Sequence, residues 1–161
     1  MIRVLAVILA VSAVAACTSS PAQSPAAVAA RAASPLQDVP EAGLPAQRLA
    51  PGECGLFLWS MTPPQKFVFF TRAASGRAEL WHESRAVTLT QVDAHGDIFG
   101  QFLTASDYVS PDAALEVSLT FRPGETLEQG QRVEGGRVVI RGRDGWETVL
   151  PVSGISACMG R

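Results

Sequence analysis

The chain predicts an all-β domain, a small antiparallel barrel or sandwich of about eight strands, disulfide-closed and carried after a disordered linker. Three observations lead there. Leu115-Glu116-Val117-Ser118-Leu119-Thr120-Phe121-Arg122 alternates apolar and polar without a break, as a strand with one buried and one wet face does. Short runs of the same kind recur between turn signals, and none carries the period of an amphipathic helix. Of the three cysteines, Cys17 closes a hydrophobic leader, which leaves Cys54 and Cys158 bracketing the rest.

Residues 1–16 follow the order of an export signal: Arg3 supplies the positive start, and Val4 to Val11 an apolar core. A spanning helix needs about 20 apolar residues. Here the run ends at Cys17 and is followed by Thr18-Ser19-Ser20-Pro21. At Val14-Ala15-Ala16-Cys17 the chain resembles the lipobox of bacterial lipoproteins. That resemblance covers the leader alone. It implies cleavage before Cys17, a diacylglyceryl group on its sulfur and a partner in the lipid bilayer, held firmly once two or more acyl chains are present. Thr18 in place of Asp implies, by the sorting rule of enteric lipoproteins, the outer membrane facing the periplasm. A plain signal peptide cut after Ala13-Val14-Ala15 is the competing reading.

Residues 17–50 are rich in Ala, Pro, Ser and Gln and poor in large apolar side chains. Such a segment cannot offset its ordering entropy by burial and is expected to be a linker, spanning roughly 30 Å. Residues 51–161 form the expected domain. Its strands are expected at residues 55–60, 66–72, 77–82, 85–92, 98–104, 115–122, 137–141 and 146–152, separated by turn signals. These are Ser75-Gly76, His95-Gly96-Asp97, Pro111-Asp112, Pro123-Gly124, Gly135-Gly136 and Asp144-Gly145. The last is expected as a tight type I′ turn. Phe67, Phe69, Trp81, Phe102 and Phe121 are expected to fill the interior.

Cys54 precedes the first strand and Cys158 follows the last. An exported location favours their pairing over two buried free thiols. The bridge would bring the terminal strands together, which favours a closed barrel because closure removes exposed edges. A sandwich with adjacent ends satisfies the same constraint.

The net charge of −2 gives no basis for binding nucleic acid. Arg132, Arg137, Arg141 and Arg143 gather near the C-terminal end among Glu134, Asp144 and Glu147, which reads as a mixed solvated face or as a surface for an acidic protein or anionic glycan. Arg137 and Arg141 share one strand face with Val139. A ligand pocket would draw on Phe57, Trp59, Trp81 or Trp146, the tryptophan rings combining an apolar body with a polar edge.

No catalytic residue, cofactor or metal is expected. Gly-x-Ser-x-Gly is absent, and Ser156 beside Cys158 reads as a loop hydroxyl. Asp93, His95 and Asp97 resemble only the beginning of a calcium loop and read as a polar hairpin tip. His82-Glu83 would lie at the other end of the intervening strand.

The expectation is therefore an anchored envelope lipoprotein whose β module binds or scaffolds and is not an enzyme. In outline, with its lipobox, terminal cysteines and small barrel, the chain is also similar to the membrane-bound inhibitors of c-type lysozyme. In that family a Ser-Gly-x-x-Tyr stretch enters the lysozyme cleft. Ala105-Ser106-Asp107-Tyr108 has its serine and tyrosine at shorter spacing and no glycine, so the resemblance would give that role to Ser106 and Tyr108. A small hydrolase or metal-dependent enzyme built on His82 or His95 is the further alternative.

Overall fold

The computed structural model describes residues 43–112 and 114–160. The leader, Cys17 and residues 17–42 of the expected linker lie outside the described residues. The strands are β1 (Cys54–Ser60), β2 (Phe67–Arg72), β3 (Arg77–His82), β4 (Arg85–Phe99), β5 (Phe102–Val109), β6 (Leu115–Leu127), β7 (Gly130–Gly142) and β8 (Glu147–Cys158). Each pairs antiparallel with the next, and β1 pairs with β8, so the sheet closes into an eight-stranded barrel rather than a sandwich. Closure leaves no free edge. Cys54 and Cys158 are cross-strand partners joined by a disulfide.

Alternation along each strand puts Leu56, Leu58, Phe69, Leu80, Leu89, Leu119 and Val138 in the interior, each 1% exposed or less. Each such side chain contributes about 1.5–3 kcal/mol on leaving water. Phe69 and Phe121 are buried as expected, while Trp81 and Phe102 are only partly buried against the core. Phe67 is not in the core. It joins Phe57, Phe70 and Trp59 in a second aromatic cluster on the outward side of β1 and β2.

Residues 43–50 pack over this second cluster, although their composition reads as linker. Leu44 is buried, and its N–H donates to the Phe67 carbonyl at 2.7 Å. The Arg72 guanidinium lies over the Phe70 ring and donates to the Arg48 carbonyl. Gln47 donates to the Glu79 carboxylate. Leu44 and Leu49 are too sparse to form a core of their own, but the exposed aromatic face of β1 and β2 gives them a surface to cover.

Several turn expectations shift, each for a local reason. The tip of β4–β5 is Gly100-Gln101, with positive φ at Gly100 alone, as a II′ turn requires. The Asp93–Asp97 stretch is instead strand, with one register shift before it, at Gln91/Asp93, and another running through its end, between His95 and Ile98. Pro123-Gly124 and Gly135-Gly136 are not turns either. They lie at register shifts of the long β6–β7–β8 ribbon, where a proline without an N–H is tolerated. Type I′ backbone occurs at Glu83-Ser84, both with positive φ, between the partners His82 and Arg85. At Asp144-Gly145 only the glycine has positive φ. Ser156 is a buried strand residue of β8, not a loop hydroxyl.

Candidate functional site

The β4–β5 hairpin carries chemistry on both faces. Its inward face, with β2, lines a cleft of about 440 Å³ at the barrel end formed by the β2–β3 and β4–β5 turns. Thr71, Gln91, Ser106 and Tyr108 supply polar groups, while Phe102 and Leu103 supply apolar wall and the highly exposed Ile98 lies at its edge.

The hydroxyl groups are there because the register turns them inward. Ser106 opposes Leu119, and Tyr108 opposes Val117, two core residues. Thr71 donates to the Arg77 carbonyl at 2.8 Å. The Tyr108 ring meets Phe69 edge-on, with centroids 5.5 Å apart, and its hydroxyl bonds with Ser106 and Thr71. Burial pushes the Tyr108 phenol above its ordinary pKa, and those two hydroxyls offset part of the rise. The cleft can therefore take an apolar body while offering neutral hydrogen-bonding groups at its floor.

The outward face of the same hairpin brings Asp93, His95 and Asp107 together. His95 Nδ1 lies 3.4 Å from Asp93 Oδ2 and 4.0 Å from Asp107 Oδ2. Asp97, the third residue in the sequence pattern, falls beyond a bend at Gly96, and its N–H is taken by Thr104 Oγ1. Asp107 was not visible as a member of this group, because only the cross-strand pairing of Asp93 with Asp107 reveals it. His82 stands apart at the end of β3, 3.8 Å from Glu83.

The other expected site residues are not brought together. Tyr108, Arg137, Trp59 and Trp146 line four different clefts. Trp59 stacks obliquely on Phe67, Trp81 is half-buried, and Trp146 is 79% exposed beyond the Asp144-Gly145 turn. Arg137 and Arg141 do share the outer face of β7. Arg141 is engaged by Glu147 at 2.8 Å and Glu116 at 3.6 Å, and the bond to Glu147 raises its pKa further. Arg137 lies beside Met61, Arg122 and Glu134. Ser106 and Tyr108 are buried within the barrel, 6% and 3% exposed, not displayed on its outer surface.

No protein family, curated protein or solved structure matches the chain.

Proposed function

We propose that the chain is a lipid-anchored bacterial envelope protein, held in the outer membrane by an acylated Cys17 and facing the periplasm, whose barrel binds a small amphipathic molecule without transforming it. The supporting observation is the barrel-end cleft. Its hydroxyl-bearing floor of Thr71, Ser106 and Tyr108 adjoins the apolar side chains of Phe102 and Leu103. A floor of neutral hydrogen-bonding groups favours a ligand with an apolar body and one hydroxyl or carbonyl over a charged one, since a buried ionic group needs a charged partner. The anchor rests on the lipobox resemblance at Val14-Ala15-Ala16-Cys17.

Native mass spectrometry of the protein taken from its own membrane fraction tests both parts. The expected spectrum shows the acylated mature chain beginning at Cys17, together with a small-molecule adduct that denaturation releases. Ala94→Phe, which puts a ring into the cleft, should abolish the adduct and leave acylation intact. An unacylated product would refute the anchor. An acylated chain with no adduct, or an adduct insensitive to Ala94→Phe in a protein that melts normally, would refute binding in the cleft.

A further inference from the structure

Asp93 and Asp107 sit directly opposite one another on β4 and β5. Like charges in that relation destabilise a strand pair. Among the described residues no lysine or arginine lies within ion-pair distance of either carboxylate, and their only basic neighbour is His95. The pair thus lacks the fixed cation that Arg141 provides between Glu116 and Glu147 on β6–β8.

One donor atom from each of Asp93, His95 and Asp107 lies within 4.8 Å of the other two. Donors about 2.0–2.2 Å from a tetrahedral ion stand about 3.3–3.6 Å from one another. The 3.4 Å separation of His95 Nδ1 from Asp93 Oδ2 already has that spacing, and the 4.0 Å separation from Asp107 Oδ2 needs only a small side-chain rotation. Ser118, on the next strand, donates its hydroxyl to Asp107 Oδ1 at 2.6 Å. That bond holds the carboxylate so that Oδ2 is the oxygen nearer His95, the kind of support that orients metal ligands.

We propose that Asp93, His95 and Asp107 form a binding site for a divalent transition-metal ion of the zinc type. One imidazole and two carboxylates suit zinc and its first-row neighbours better than calcium, which takes six to eight oxygens, or magnesium, which keeps its waters. Asp93 and His95 are exposed, so the remaining coordination position faces solvent. The ion would tie β4 to β5 between the two register shifts, at Gln91/Asp93 and His95/Ile98. The inward side of that same segment lines the cleft through Ala94 and Ser106.

Calorimetric titration of the full-length protein, first stripped with a chelator, with Zn2+ alone, Ca2+ alone and Mg2+ alone tests the assignment. One saturable Zn2+ site is expected, weakened about tenfold or more by His95→Ala or Asp107→Asn and unchanged by His82→Ala. Zn2+ should also raise the melting temperature of the wild type and of His82→Ala, but not of His95→Ala. Melting each variant without metal shows that it has folded. No saturable Zn2+ binding, equal binding in every variant, or tighter binding of Ca2+ or Mg2+ would overturn the site.

Discussion

Cys54 and Cys158 are cross-strand partners on β1 and β8, the two strands whose pairing closes the barrel, although 104 residues separate them in the chain. The covalent bond therefore joins strands that must find each other across nearly the whole domain. For a loop of this length the chain-entropy model gives a stabilisation of about 4.7 kcal/mol, an upper figure. Against a total of about 5–15 kcal/mol for a domain this is a large share. The double substitution Cys54→Ala, Cys158→Ala is expected to lower the free energy of urea unfolding by several kcal/mol. An unchanged midpoint would mean that strand pairing alone closes the barrel at no entropic disadvantage.

Seven of the eight strands were legible in position because each keeps a stretch of period-two alternation or apolar residues, whereas the run expected at 98–104 straddles the Gly100-Gln101 tip between β4 and β5. Their lengths were not. Gly96, Pro123, Gly124 and Gly135 read locally as turns, yet long antiparallel strands absorb them at register shifts once the neighbouring ladders hold. Glu83-Ser84 escaped notice for the opposite reason, since neither residue is the Gly or Asn that usually marks positive φ. The site was legible only in pieces. Asp93 and His95 stand out in sequence, whereas Asp107 joins them through the register of β5. The inward turn of Ser106 and Tyr108 likewise follows from which face of β5 meets Leu119 and Val117.

Leu44 anchors residues 43–50 to the outer wall through its buried side chain and its N–H bond to Phe67. Truncating a buried leucine to alanine costs about 2–5 kcal/mol in a closed core, and less where the site can collapse. Leu44→Ala is therefore expected to cost about 2 kcal/mol, read as a lower urea midpoint for the whole domain. A wild-type midpoint would show that this segment lies on the barrel without contributing to its stability.

Gly136 leaves room for a neighbouring side chain. A Cβ at that position would lie 2.6 Å from both the Phe121 Cβ and the Thr120 carbonyl oxygen. Neither is the far end of a flexible side chain, so relief requires the β6–β7 ribbon to move. Overpacking of this kind costs about 1–3 kcal/mol. Gly136→Ala should lower the midpoint by that amount, while Gly76→Ala meets no atom within 4 Å and should register only the strain of its positive φ. An unchanged midpoint for Gly136→Ala would show that the β6–β7 ribbon yields to the added methyl at no cost.

Tyr108 is the only tyrosine of the chain, so its phenolate absorbance titrates without interference from another phenol. Burial raises its folded-state pKa above the ordinary value, outweighing the hydrogen bonds to Ser106 and Thr71. A raised pKa favours the proton-bound, folded form. The stability linked to this group is thus fully present below the unfolded value of about 10 and is lost as pH rises through the higher folded value. The native protein should form phenolate at higher pH than the urea-unfolded chain, and its unfolding free energy should fall over that alkaline interval. Tyr108→Phe should lose about 1 kcal/mol at neutral pH with the hydroxyl's hydrogen bonds. It should also be insensitive to that part of the alkaline decline, so the two stability curves converge as pH rises. A native titration at or below the unfolded one would show that the hydroxyl is open to water, and the floor of the cleft with it.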